Sequence, residues 1–95
     1  MSDTNLKQIQ KLAVVLATGA KKGYWSNELK IDTSLDWEFS STYEGNLRAY
    51  LRDNWNDQLP DLKLLKRYGY IEKVEGDPGE DSEVFALTDK AFALV

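Results

Sequence analysis

Between Val74 and Val84 stand five carboxylates, Glu75, Asp77, Glu80, Asp81 and Glu83, with no basic residue among them. Carboxylates at this density have three chemical uses: they ligate a hard cation, move protons in catalysis, or draw a cationic partner to the surface. The spacing lacks the EF-hand order of oxygen ligands around a glycine at the sixth position, so it predicts loose counterion association rather than a calcium site. Catalysis lacks its usual companions. The chain has no histidine and no cysteine, which removes the commonest general base, the commonest metal ligand and any thiol nucleophile. It has no Gly-rich phosphate loop and no nucleophile elbow. The expectation is a non-enzymatic protein with no cofactor and no metal. The acidic run suits a protein partner with a basic surface, which it would steer. Its plainer role is to keep exposed strand edges from pairing with another chain.

Two other groups of side chains carry recognition chemistry. Lys63, Lys66 and Arg67 recur at the spacing of one helix face, and Arg48, Arg52 and Lys73 are able to flank them. Together they form a candidate phosphate-contacting patch; the plainer reading is the solvated face of amphipathic helices. Tyr24 and Trp25 follow Lys21, Lys22 and Gly23. They serve either as a surface anchor for a protein partner or as a seal at the bottom of the first helix. Trp37, Phe39 and Trp55 read as core.

The elements that position these groups follow from periodicity. Leu6, Ile9, Leu12, Ala13 and Leu16 predict an amphipathic helix over about 5–18, with Gly19 as its left-handed stop. From Leu29 to Phe39 apolar and polar residues alternate, which predicts one strand with a bend near Asp32–Ser34; a short helix capped by Ser26 competes for its first residues. Ser41-Thr-Tyr-Glu44 is a capping box, opening a helix that buries Leu47, Leu51, Trp55 and Tyr50. Pro60 starts a third helix over about 60–68, burying Leu62, Leu65 and Tyr68 and stopping at Gly69. Tyr70–Val74 and Val84–Leu87 are strands joined through the turn residues Asp77-Pro-Gly79. Thr88 caps a last short helix containing Ala91, Phe92, Leu94 and Val95, whose apolar side either packs on the first helix or makes a homodimer contact.

Length and charge bound the rest. Ninety-five residues make one domain, 1–95, of α+β class. The net charge of −4 is unevenly spread. Residues 1–42 sum to zero and 43–74 to +1, while 75–95 carry Lys90 against six acids, giving −5. No apolar run reaches the roughly 18–20 residues of a membrane span, and Met1-Ser-Asp-Thr does not open a signal peptide. The expectation is a cytoplasmic protein that does not enter the membrane.

The expected order is helix, strand, helix, helix, strand, wing, strand, helix. With Leu-x-x-Leu-x-x-x-Gly-Tyr-Ile over 62–71 and Phe-x-Leu-Thr-Asp-Lys-Ala over 85–91, this resembles the winged-helix superfamily. Residues 43–95 are similar to MarR-type and PadR-type regulators. Ala91 stands where those families favour glycine. The resemblance implies that the helix at 60–68 would be offered to the DNA major groove, with Arg48, Arg52 and Lys73 touching phosphates. The acidic wing opposes that use, because each acid near a phosphate works against counterion release. A protein–protein interaction or adaptor module is therefore the leading expectation, with a small DNA-binding transcriptional regulator as the alternative.

Overall fold

A computed structural model of the chain describes residues 3–33, 37–39, 45–55, 59–74 and 82–95. The class is α+β. Helices α1 (Asp3–Lys22), α2 (Gly45–Asn54), α3 (Lys63–Arg67) and α4 (Asp89–Phe92) surround strands β1 (Glu28–Asp32), β2 (Glu38–Phe39), β3 (Ile71–Lys73) and β4 (Ser82–Leu87). The strands form one antiparallel sheet in the order β2-β1-β4-β3.

α1 folds because Ile9, Leu12, Ala13, Leu16 and Ala17 recur at three- and four-residue intervals, which places them in one stripe. All five are fully buried. The helix runs four residues past its expected end. Gly19 is not the stop but a buried interior residue, and Gly23, at φ +81°, takes the left-handed position. There the Gly23 N–H donates to Ala20 O at 3.2 Å and the Tyr24 N–H to Gly19 O at 2.9 Å, closing a Schellman motif. α3 ends the same way. Gly69 sits at φ +83°, its N–H donates to Lys66 O, and the Tyr70 N–H donates to Leu65 O at 2.8 Å.

α3 itself is shorter than the predicted 60–68 segment. The Asp61 carboxylate accepts the Lys63 N–H at 3.0 Å, so an aspartate opens the helix and Pro60 lies outside it. The capping box at 41–44 and the turn at 77–79 fall outside the described residues.

The predicted long strand from Leu29 to Phe39 is two strands. Ile31 pairs with Phe39 and Asp32 with Glu38, so the chain reverses between them. Trp37, at φ +55°, is the non-glycine residue held in the left-handed region among the described residues. Its ring lies 5.3 Å from that of Phe85, and that packing holds a backbone conformation that costs about 1–3 kcal/mol on its own.

One face of the sheet meets the helices. Leu29, Ile31, Ile71, Phe85 and Leu87 point inward and join Ile9, Leu12, Leu16, Leu47, Leu51, Leu62, Leu65 and Ala91 in a single buried cluster. Each fully buried Leu, Ile or Phe contributes about 1.5–3 kcal/mol from its removal from water. α4 packs on α1 through the buried Ala91. Thr88 precedes α4 but does not cap it; its hydroxyl donates to Gly69 O at 2.6 Å, tying the end of α3 to the start of α4. The Lys90 ammonium adds a second tie by donating to Tyr68 O.

Candidate functional site

Two regions bring together the residues picked out by type and spacing. The first is the β3–β4 hairpin with α3 beside it. Ile71 pairs with Leu87 and Lys73 with Phe85, so the two strands open toward the end of the sheet where Asp32 pairs with Ser82. By the alternation of the pleat, Lys73 and Glu83 lie on the same face as Phe85. Their side chains form an ion pair of 2.6 Å. The hydrogen bond from Lys73 holds the Glu83 carboxyl below its ordinary value, and a second hydrogen bond from Thr33 acts in the same direction.

That pair changes the accounting of both candidate sets. Lys73 is the sole base between Arg67 and Lys90, and it is consumed inside the hairpin rather than held out for a phosphate. Glu83 is likewise spent locally, with its side chain 29% exposed. Glu80 and Asp81, with Glu75 and Asp77, fall outside the described residues.

On α3, Lys63, Lys66 and Arg67 are all exposed. The Lys66 ammonium stands 6.0 Å over the Phe85 ring. Lys63 and Arg67 have no ion-pair partner among the described residues. Arg52 is exposed and pairs with its neighbour Asp53 at 3.3 Å. The Arg48 side chain is not among those described. The basic patch is thus three side chains on a five-residue helix, with a fourth cation neutralised beside it.

The second region is built around Trp25. The indole is 8% exposed, its Nε1–H donates to Leu16 O at 2.9 Å, and the ring lies against Gly19. Of the two expectations for Trp25, surface anchor or seal of the first helix, its burial fits the seal and not the anchor. An indole has too much apolar area to leave in water when a glycine in the facing helix turn leaves room for it. It seals the end of α1. Tyr24 is exposed, as an anchor would be. Tyr50, expected in the core, is 43% exposed and meets the edge of Trp25 at 5.9 Å, while Tyr24 meets it at 6.2 Å. Sequence reading missed Tyr50 because it stands three residues from Leu47, at core spacing, yet points past the core. Its contact with Trp25 is a tertiary fact with no local signal.

Trp55 and Phe92 are partly buried against the core, whereas Leu94 and Val95 are exposed. Trp55 Nε1 and Gln8 Oε1 are buried polar atoms without a hydrogen-bond partner among the described residues, and the Lys11 ammonium lies 4.8 Å over the Trp55 ring. Among the described residues, no cluster of three or more acidic, histidine or cysteine side chains is arranged to hold a metal, and no helix is long and apolar enough to cross a membrane.

No protein-family model, curated protein or solved structure matches this chain. The chemistry of the two regions therefore carries the functional argument.

Proposed function

We propose that the chain is a winged-helix module that works without catalysis, as a cytoplasmic adaptor, by presenting its acidic hairpin to the basic surface of a protein partner. The element order and the β1-β4-β3 arrangement support the winged-helix reading, with α2 and α3 as the helix-turn-helix and the β3–β4 hairpin as the wing.

The observation that carries the functional reading is the Lys73–Glu83 ion pair. Subtracting that pair leaves Glu72, Glu75, Asp77, Glu80 and Asp81, five negative charges with no cation left on the hairpin to offset them. Each acid near a duplex phosphate would oppose the counterion release on which DNA affinity depends. A Lys- or Arg-rich protein surface would be attracted by the same charges.

DNA binding through Lys63, Lys66 and Arg67 is the second reading, favoured by the exposure of all three on one short helix. Three phosphate contacts give a log–log salt slope of about −2.7, or about a 40-fold loss between about 50 and 200 mM salt. Fluorescence anisotropy with random duplex DNA and with a short Lys-rich peptide separates the readings. The expected result is salt-sensitive binding of the peptide, lost in Glu75→Gln/Asp77→Asn/Glu80→Gln/Asp81→Asn, and no binding of the duplex. Duplex binding with the predicted slope, abolished in Lys63→Ala/Lys66→Ala/Arg67→Ala, refutes the adaptor reading.

A further inference from the structure

We propose that the open face of the sheet is a docking groove for a basic amphipathic helix of a protein partner. The inference rests on the adaptor reading for the sign of the partner's charge, and it adds a second surface and the shape that fits it.

The buried side chains of the helices meet one face of the sheet, through Leu29, Ile31, Ile71, Phe85 and Leu87. Successive side chains of a strand point to opposite faces, so Glu28, Lys30 and Asp32 of β1 and Val84 and Ala86 of β4 stand on the other. Glu72 joins them from β3, and Val74 follows it in register, its N–H donating to Val84 O at 2.9 Å. Val74, Val84 and Ala86 take no part in the core. The register lays out the face. Ala86 lies between Glu28 and Glu72, and Val84 lies between Lys30 and Val74. Glu28, Lys30 and Glu72 are longer than Ala86 and Val84, so β4 is the floor of a shallow trough. Strands about 4.8 Å apart set Glu28 and Glu72 about 10 Å apart across it. An α-helix with its side chains is about 10–12 Å wide.

Charge and shape name the occupant. Glu28, Asp32 and Glu72 stand around Lys30 on this face, three acids to one base. None of the four has an ion-pair partner among the described residues. Glu28 and Glu72 are exposed, while Val74, Val84 and Ala86 are half-buried. An apolar floor between acidic walls receives an amphipathic helix, whose apolar stripe rests on the floor and whose flanking cations reach the walls. The same acids oppose a nucleic-acid backbone. This chain does not supply such a helix itself. Leu12 and Leu16 of α1, Leu47 and Leu51 of α2 and Leu65 of α3 are already buried in its own core. The occupant is therefore a different protein, with Lys or Arg along the flanks of its helix.

Isothermal titration calorimetry of the full chain with a synthetic helical peptide, a leucine stripe flanked by lysines, tests this, with circular dichroism confirming that each variant is folded. The peptide should bind and shift the backbone amide resonances of β1 and β4, and the same stripe flanked by glutamates should not bind. Glu28→Gln/Asp32→Asn should weaken binding about fivefold, and Val84→Lys about tenfold or more. Glu75→Gln/Asp77→Asn/Glu80→Gln/Asp81→Asn should leave the peptide bound. No binding of the lysine peptide, equal binding of the glutamate peptide, or binding kept in both face variants overturns the proposal. Amide shifts in β1 and β4 that depend on the concentration of the chain alone assign the face to a second copy and overturn it too. If a Lys-rich peptide without the stripe binds and the amphipathic one does not, the hairpin reading survives and the groove is refuted. The reverse pattern removes the hairpin and keeps the groove.

Discussion

Gly19→Ala should destabilise this protein, against the ordinary rule for helix interiors. Alanine in the middle of a helix gains about 1 kcal/mol over glycine. At position 19, however, the new Cβ would stand 2.0 Å from Trp25 Cζ2, 2.2 Å from Cε2 and 2.5 Å from Cη2. Carbon atoms in contact need about 3.5–4.0 Å, so the indole must withdraw by about 1.5 Å. That displacement breaks the 2.9 Å hydrogen bond to Leu16 O and leaves a buried N–H unpaired, at about 1–3 kcal/mol. Overpacking adds about 1–3 kcal/mol. The net, after the helix gain, is a loss of about 1–5 kcal/mol out of a total stability of about 5–14 kcal/mol for a chain of this size. Urea denaturation followed by far-ultraviolet circular dichroism reads it as a lowered midpoint. In a Trp25→Leu background the same substitution should be neutral or stabilise by up to about 1 kcal/mol. A stabilising Gly19→Ala in the native background, or equal effects in both backgrounds, would refute the reasoning.

Two further outcomes test other parts of the fold. The Glu83 carboxyl titrates below its ordinary value of 4.5, so its pairing with Lys73 contributes stability above that value and loses it as pH falls through the lowered one. Glu83→Gln should therefore flatten the acid limb of stability against pH, by less than about 1 kcal/mol because both side chains are partly exposed; a steeper acid limb in the variant contradicts the pairing. Gly69→Ala forces a side chain into φ +83° with open space around it, the nearest atom being Lys90 Cδ at 3.7 Å. Pure backbone strain then predicts a loss of about 1–2 kcal/mol by thermal denaturation, and no loss would mean that the left-handed turn ending α3 is not required.

The segment from Leu62 to Leu87 was legible because its signals are local. Leu62 and Leu65 mark a helix face, Gly69 supplies the left-handed turn that ends it, and Ile71 and the alternation around Phe85 mark two strands. The run from Leu29 to Phe39 misled, since alternation reports which side chains face inward and is silent on chain direction. A reversal that returns Trp37 to the same core preserves the pattern while splitting one strand into two. Gly19 reads as the helix stop in the sequence, but the stop falls at Gly23, because Trp25 needs the bare backbone at 19. Thr88 looked like a cap, yet its hydroxyl bonds to Gly69 O, 19 residues away, a partner that only the folded chain supplies. The same holds for the candidate sites. Exposure of Lys63, Lys66 and Arg67 followed from helix spacing, but the neutralisation of Lys73 by Glu83 depends on hairpin register, and the contact of Tyr50 with Trp25 depends on packing between distant segments.

The sheet's outer strands are its shortest, two residues in β2 and three in β3, while the longer β1 and β4 lie inside. Among the described residues, an incoming strand would find one or two free rungs of main-chain hydrogen bonding on either flank, too few to nucleate growth by backbone pairing. A protein partner would instead have to be held through side chains, where the strength of charge pairing is set by ionic strength.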